Sequence, residues 1–151
     1  MILSLAVILL FVIYGILILY YWLIWRSIPG FMDTGDMPAL KFSIIIAARN
    51  EEENIGRLLK ALQEQDFPPG SFEIIVVDDH STDKTAAIVS SFEQVKLLKL
   101  QDDRTLNSYK KKAIGKGIAA AAHDMIITTD ADCIPPAAWL RTIALFRERS
   151  N

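Results

Sequence analysis

Two aspartates near the C-terminal end of the chain, Asp130 and Asp132, follow the apolar run 125–129 with only Ala131 between them. Carboxylates at i and i+2, placed where a strand turns, can face one ion. Mg²⁺ and Mn²⁺ take oxygen ligands, and are usually held by one or two carboxylates together with substrate phosphates. The pair is therefore a candidate for a site where a hard cation neutralises a diphosphate. Aspartate also favours strand ends as a plain turn residue. On its own the pair leaves both roles open.

A second acidic cluster, Asp78 and Asp79, ends the apolar run 72–77 in the same way. A carboxylate just past a strand can accept hydrogen bonds from a base or a ribose. The alternative is that one aspartate caps the turn while Asp83 stabilises a helix start. His80, in the same loop, reads as a loop-filling residue. Lys110, Lys111 and Lys112 begin an expected helix behind a polar loop that contains Arg104. They can meet a phosphate or form a solvated basic face. His123 and the single cysteine, Cys133, read as structural residues. One cysteine excludes an internal disulfide and a cysteine-based zinc cluster, and fits a reducing compartment. No Ser/His/Asp arrangement, dinucleotide-binding glycine motif or P-loop is present. With a net charge of −2, nothing points to nucleic acid.

Both acidic clusters need elements that bring them to one edge. Residues 42–47 read as a buried strand. Asn50 is expected to cap a following helix, with Glu51, Glu52 and Glu53 at its positive end. Ile55, Leu58, Leu59 and Leu62 fall on one helical face. Residues 72–77 form a second strand, and Ser81 or Thr82 is expected to cap a short helix to about Ser91. A third strand (95–100), a polar loop (101–108), a helix (109–122, weakened by Gly115 and Gly117) and a fourth strand (125–129) follow. Pro135 and Pro136 begin a last helix, with Trp139, Leu140, Ile143 and Phe146 on its buried face. This β-α alternation implies an α/β fold with a mostly parallel sheet, whose ligands bind beyond the carboxyl ends of the strands.

The N-terminal 25 residues carry no charged side chain. A helix of about 24 residues spans roughly 36 Å, enough to cross a bilayer. A cleaved signal peptide wants a basic start, a shorter apolar core and a small-residue cleavage site, none of which is evident. Arg26, Lys41 and Arg49 follow the helix, and Tyr20, Tyr21, Trp22 and Trp25 cluster at that end. The expectation is a single-pass membrane anchor with the catalytic part cytoplasmic. The expected layout is a transmembrane helix at 1–25, a linker at 26–40, broken by Pro29, Gly30, Gly35 and Pro38, and a catalytic-type domain at 41–151.

Four segments then occur in a telling order: 42–52 (Phe-Ser-Ile-Ile-Ile-Ala-Ala-Arg-Asn-Glu-Glu), 73–83 (Glu-Ile-Ile-Val-Val-Asp-Asp-His-Ser-Thr-Asp), 110–118 (Lys-Lys-Lys-Ala-Ile-Gly-Lys-Gly-Ile), and 129–133 (Thr-Asp-Ala-Asp-Cys) with Trp139 and Leu140. Together, over about residues 41–149, they resemble family 2 glycosyltransferases. The resemblance implies the GT-A fold, a Rossmann-like nucleotide-sugar-binding sheet, here incomplete at its C-terminus. It implies that Asp130 and Asp132 match the family's Asp-x-Asp motif, contacting Mn²⁺ or Mg²⁺ and the diphosphate of a UDP- or GDP-sugar. Asp79 matches the aspartate that contacts the base. Ala47, Arg49 and Glu51 match the segment beside the nucleotide, and Lys110 matches a lysine near the sugar nucleotide. Ala47 replaces a frequent proline, and Tyr109 a frequent glycine. The implied activity is inverting sugar transfer to an acceptor such as a lipid or polysaccharide, with the general base expected beyond Asn151. This chain would then be the donor-binding half of a membrane glycosyltransferase. The alternative is a catalytically inactive single-pass membrane binding module.

Overall fold

The computed structural model describes residues 2–28, 30, 39–100 and 109–149. The polar loop 101–108, with Arg104, and most of the expected linker lie outside the described residues. The chain divides into two units, 1–34 and 35–151.

The first unit is one helix, α1 (Ile2–Ser27), about 39 Å long at 1.5 Å per residue. It buries none of its own side chains. An apolar helix with no polar face is the form a lipid environment stabilises. At its C-terminal end the Arg26 guanidinium lies 4.9 Å from the centre of the Trp22 ring.

The second unit contains β1 (Phe42–Ala48), α2 (Ile55–Gln63), β2 (Phe72–Asp78), α3 (Thr85–Ser90), β3 (Val95–Lys99), α4 (Tyr109–Ala119), β4 (Met125–Asp130) and α5 (Trp139–Arg149). The four strands form a parallel sheet in the order β3-β2-β1-β4. β1 is central, and Phe42, Ile44, Ile45 and Ile46 are fully buried because both faces of the sheet are covered there. One face (Phe42, Ile44, Ile46, Ala48, Ile74, Val76) packs with Ile55, Leu58, Leu59 and Leu62 of α2, Val89 of α3, and Leu140 and Ala144 of α5. The other face (Ile75, Val77) packs with Ala113 of α4 and with Leu100, the residue after β3. α4 approaches the sheet closely at Gly117, where a β-carbon would stand 2.4 Å from Ile45 Cγ2. Glycine there is thus a packing requirement, whereas nothing lies within 4 Å of a β-carbon at Gly115.

At the N-terminal end of the sheet, Ser43 Oγ and the Ala122 amide both donate to Glu73 Oε1, each at 2.5 Å. The His123 amide donates to Ser43 Oγ at 3.1 Å. These bonds fix the turn between α4 and β4, and so the register at which β4 delivers its acidic end.

Three local expectations are corrected. Asn50 does not cap α2: the N-cap is Asn54, and Asn50 adopts a left-handed φ of 54° that turns its side chain toward the loop after β2. Asparagine tolerates that conformation better than most residues. Ser81 and Thr82 do not cap α3, whose N-cap is Lys84. Both instead bond Asn50 across the two loops. Phe146 is 60% exposed. The buried stripe of α5 centres on Leu140 and Ala144, and Phe146 stands about 120° around the helix from Leu140. Elsewhere the elements differ from expectation by up to four residues at their ends: β2 and β4 extend to Asp78 and Asp130, β3 and α4 stop at Lys99 and Ala119, and α5 begins at Trp139 rather than at Pro135 and Pro136.

Candidate functional site at the carboxyl edge of the sheet

The chain leaves β1 toward β2 on one side, and β4 lies on the other. Open α/β sheets bind ligands at such a reversal, beyond the carboxyl ends of the strands. The residues singled out in the sequence collect around it in two groups.

The first group follows β1 and β2. Asp78 is 5% exposed and its Oδ1 accepts the Ser81 amide at 3.2 Å, so it caps the turn. Asp79 is also 5% exposed, yet its carboxylate faces other side chains. Its Oδ1 lies 2.9 Å from His80 Nδ1, and its Oδ2 lies 3.7 Å from an Arg49 guanidinium nitrogen. The Asp79 amide donates to the Ala48 carbonyl at 2.8 Å, which extends the β1–β2 ladder by one step and places Arg49 beside Asp79. His80 has a φ of 56°, so the chain turns sharply once Asp79 is placed.

Six hydrogen bonds tie the loop after β1 to the loop after β2. Asn50 donates its amide to Ser81 Oγ (3.0 Å), and its Oδ1 accepts from the Thr82 amide (2.8 Å) and Thr82 Oγ1 (3.3 Å). The Glu51 amide donates to Thr85 Oγ1 (2.8 Å) and the Glu52 amide to Asp83 Oδ2 (3.1 Å). The Lys84 amide returns a bond to Glu52 Oε2 (2.9 Å). Asp83 Oδ1 also accepts from the Thr85 amide and hydroxyl, supporting the start of α3 as expected for this residue. These bonds outweigh its desolvation and hold its carboxyl below the usual aspartate value. The Glu51 carboxylate is turned back to Asn54 Nδ2 at 3.0 Å, so it is the member of the expected set committed to its own loop. Asn50 and Thr85 were missed as site-shaping residues. The cross-loop partners of both lie more than 30 positions away, and no local pattern announces them.

The second group follows β4. Ala47 is the hinge between groups, pairing with Val77 on one side and with Asp130 on the other. Its methyl packs with Ile75, Val77 and Ala113 on the α4 side of the sheet. Asp130 ends β4, and Asp132 follows in an exposed turn whose Cys133 amide donates back to the Asp130 carbonyl at 3.3 Å. Lys110, in the first turn of α4, places Nζ 2.6 Å from Asp130 Oδ1, both side chains being more than half exposed. That hydrogen bond, the Asp130 charge and, more weakly, Asp132 raise the Lys110 pKa above its usual 10.5.

Among the described residues, no three His, Cys, Asp or Glu side chains converge as a complete metal cage. Asp130 and Asp132 offer hard oxygen donors only. Two carboxylates leaving coordination positions for phosphate oxygens and water is the pattern Mg²⁺ and Mn²⁺ adopt with nucleotides, so the residues fit such an ion.

The sequence profile of glycosyl transferase family 2 matches residues 43–150. The chain belongs to that family. It is 36% identical over 93 residues to poly(ribitol-phosphate) beta-N-acetylglucosaminyltransferase TarS of Staphylococcus aureus, covering 62% of this chain and 16% of that protein. It is 37% identical over 114 residues to the probable glycosyltransferase YdaM of Bacillus subtilis, covering 73% of this chain and 27% of YdaM. Among solved structures, residues 1–349 of S. aureus TarS in complex with UDP-GlcNAc superpose with a TM-score of 0.65 at 31% identity, covering 73% of this chain and 32% of that one. The mannosyltransferase PcManGT of Pyrobaculum calidifontis, in complex with GDP-Man and Mn²⁺, gives 0.68 at 27% identity, covering 85% and 39%. The parallel α/β architecture expected for a GT-A domain is therefore observed. The chain spans less than a third of the length of either curated relative.

Proposed function

We propose that residues 41–151 bind a nucleoside diphosphate sugar with a divalent cation and serve as the donor-binding part of a metal-dependent, inverting glycosyltransferase. The observation that carries this reading is the convergence, at one sheet edge, of a buried carboxylate paired with arginine and an exposed carboxylate pair paired with lysine. Asp79, fixed by Arg49 and His80, would accept hydrogen bonds from the base. Ala47, Arg49 and Glu51 would flank the nucleotide. Asp130 and Asp132 would hold Mn²⁺ or Mg²⁺, whose charge stabilises the departing diphosphate when it is bound. Lys110, at the positive end of α4, would meet a phosphate oxygen of the same group. These residues orient the donor so that an acceptor hydroxyl attacks the anomeric carbon opposite the leaving group. Binding of UDP-GlcNAc by one relative and of GDP-Man with Mn²⁺ by another supports a UDP- or GDP-sugar as donor.

Isothermal titration of the chain with UDP and with GDP, each with and without Mn²⁺, tests the reading. Binding should require Mn²⁺ and disappear in Asp132→Ala. Nucleotide binding that ignores both Mn²⁺ and Asp132→Ala would refute it. We further propose that α1 spans the membrane and leaves the domain on the cytoplasmic side, because the nearest positive charges, Arg26 in its last turn and then Lys41 and Arg49, lie toward its C-terminal end. That placement favours a lipid-linked or membrane-proximal acceptor.

A further inference from the structure

Lys110 of α4 and Asp130 of β4 are in direct contact. Lys110 Nζ lies 2.6 Å from Asp130 Oδ1, on the side of α4 that faces the turn carrying Asp132. Asp130 thus has a cation partner supplied by the chain itself. An ammonium hydrogen-bonded to a carboxylate weakens that carboxylate's hold on a divalent ion, because the two cations repel each other at short range.

We infer that Lys110 is a built-in counter-ion of the Asp130–Asp132 pair, which disfavours the metal alone and is released when a diphosphate arrives. This rests on the proposed donor and metal reading of the same site. The diphosphate offers Lys110 new anionic oxygens, so the ammonium leaves Asp130 without losing its charge partner. Metal and nucleotide then bind with positive coupling, each tightening the other by the same factor. The exchange is within reach because the Lys110 side chain is 63% exposed and that of Asp130 57%. Exposed pairs of this kind are weak enough to be broken by a competing ligand. The device keeps the carboxylates from trapping a stray divalent ion, and commits the ion only with its diphosphate.

The test measures Mn²⁺ binding by the paramagnetic resonance signal of the free ion. The full chain is held in nanodiscs of phosphatidylcholine, with and without UDP or GDP. Without nucleotide, Lys110→Met should bind Mn²⁺ roughly fivefold more tightly than the parent chain, and Lys110→Arg should match the parent. Adding the nucleotide should tighten Mn²⁺ binding in the parent chain by a larger factor than in Lys110→Met. If Lys110→Met leaves nucleotide-free Mn²⁺ affinity unchanged or weaker, while Asp130→Asn still abolishes Mn²⁺ binding with nucleotide present, the counter-ion role is refuted and the metal site stands. If Asp130→Asn leaves Mn²⁺ binding with nucleotide intact, the metal site and the counter-ion role fall together.

Discussion

Replacing Gly117 by alanine tests whether the position of α4, and with it Lys110, is set by close packing on the sheet. A β-carbon there would lie 2.4 Å from Ile45 Cγ2, 3.3 Å from Val77 Cγ2 and 3.4 Å from Ile45 Cβ. Ordinary carbon–carbon contact is about 3.5–4.0 Å, so the first distance must open by roughly 1.2 Å. Ile45 is fully buried in the central strand and its Cγ2 sits on a stiff β-branch, so the helix has to move. Overpacking of one methyl into such a core costs about 1–3 kcal/mol. The gain in helix propensity from glycine to alanine is about 1 kcal/mol. The net expectation for Gly117→Ala is a loss of about 1 kcal/mol, with Lys110 displaced from Asp130. Gly115→Ala meets nothing within 4 Å, keeps the propensity gain and should raise stability by up to about 1 kcal/mol. Urea unfolding followed by circular dichroism in detergent micelles measures the difference, and titration with UDP and Mn²⁺ reads the site. If Gly117→Ala is stabilised as much as Gly115→Ala, the close approach of α4 is wrong.

Glu73 gives a pH prediction. Burial opposes its ionisation, but the bonds from Ser43 and the Ala122 amide, with the charges of His123 and Lys96, outweigh burial and hold its pKa below 4.5. A depressed carboxyl stabilises the fold above its unfolded value, so this contribution is complete above about pH 4.5 and fades as pH falls through the folded value. Acid unfolding of Glu73→Gln should therefore be flatter than that of the parent chain below pH 4.5, and identical slopes would remove Glu73 from the account. Membrane orientation is read from Cys133, the single cysteine, which is exposed. A membrane-impermeant maleimide should label it only after cells are permeabilised, and labelling of intact cells would reverse the proposed topology.

The strands were legible because buried parallel strands are short, continuous apolar runs ended by polar residues, and β1, β2 and β4 each fit that description. The buried face of α2 was legible for the matching reason, a 3.6-residue period. The acidic ends were visible as residues, yet their separate roles were not. Asp78 and Asp79 look equivalent in sequence; the pleat sends one into its own turn and the other toward Arg49. Asn50 looked like a cap because a cap is a local event. Its actual partners, Ser81 and Thr82, become neighbours only when β1 and β2 pair in register. Phe146 misled for a related reason. It stands about 120° around α5 from Leu140, outside the face that Leu140, Ala144 and Leu145 bury, although its side chain is apolar. Gly117 read as a weakness of α4 until the depth of the helix on Ile45 made it a condition of packing.

The two halves of the site are held by unlike means, and the difference bears on what each half does. Around Asp79, two loops are joined by six hydrogen bonds, with Thr85 fully buried among them. At about 0.5–1.5 kcal/mol each, removing any of them exposes a local cost that the fold resists. Around Asp130, one exposed ion pair worth about 0–1 kcal/mol holds the ammonium end of Lys110. A planar base has one shape, and a preformed pocket loses little ordering entropy when it receives it. A diphosphate arriving with a divalent ion brings four charges of two signs, and carboxylates and ammonium fixed in one arrangement would suit only one stage of filling. A stiff half beside a half held by one exchangeable contact is the division such a ligand requires, and the reversal of strand order between β1 and β4 brings the two halves together.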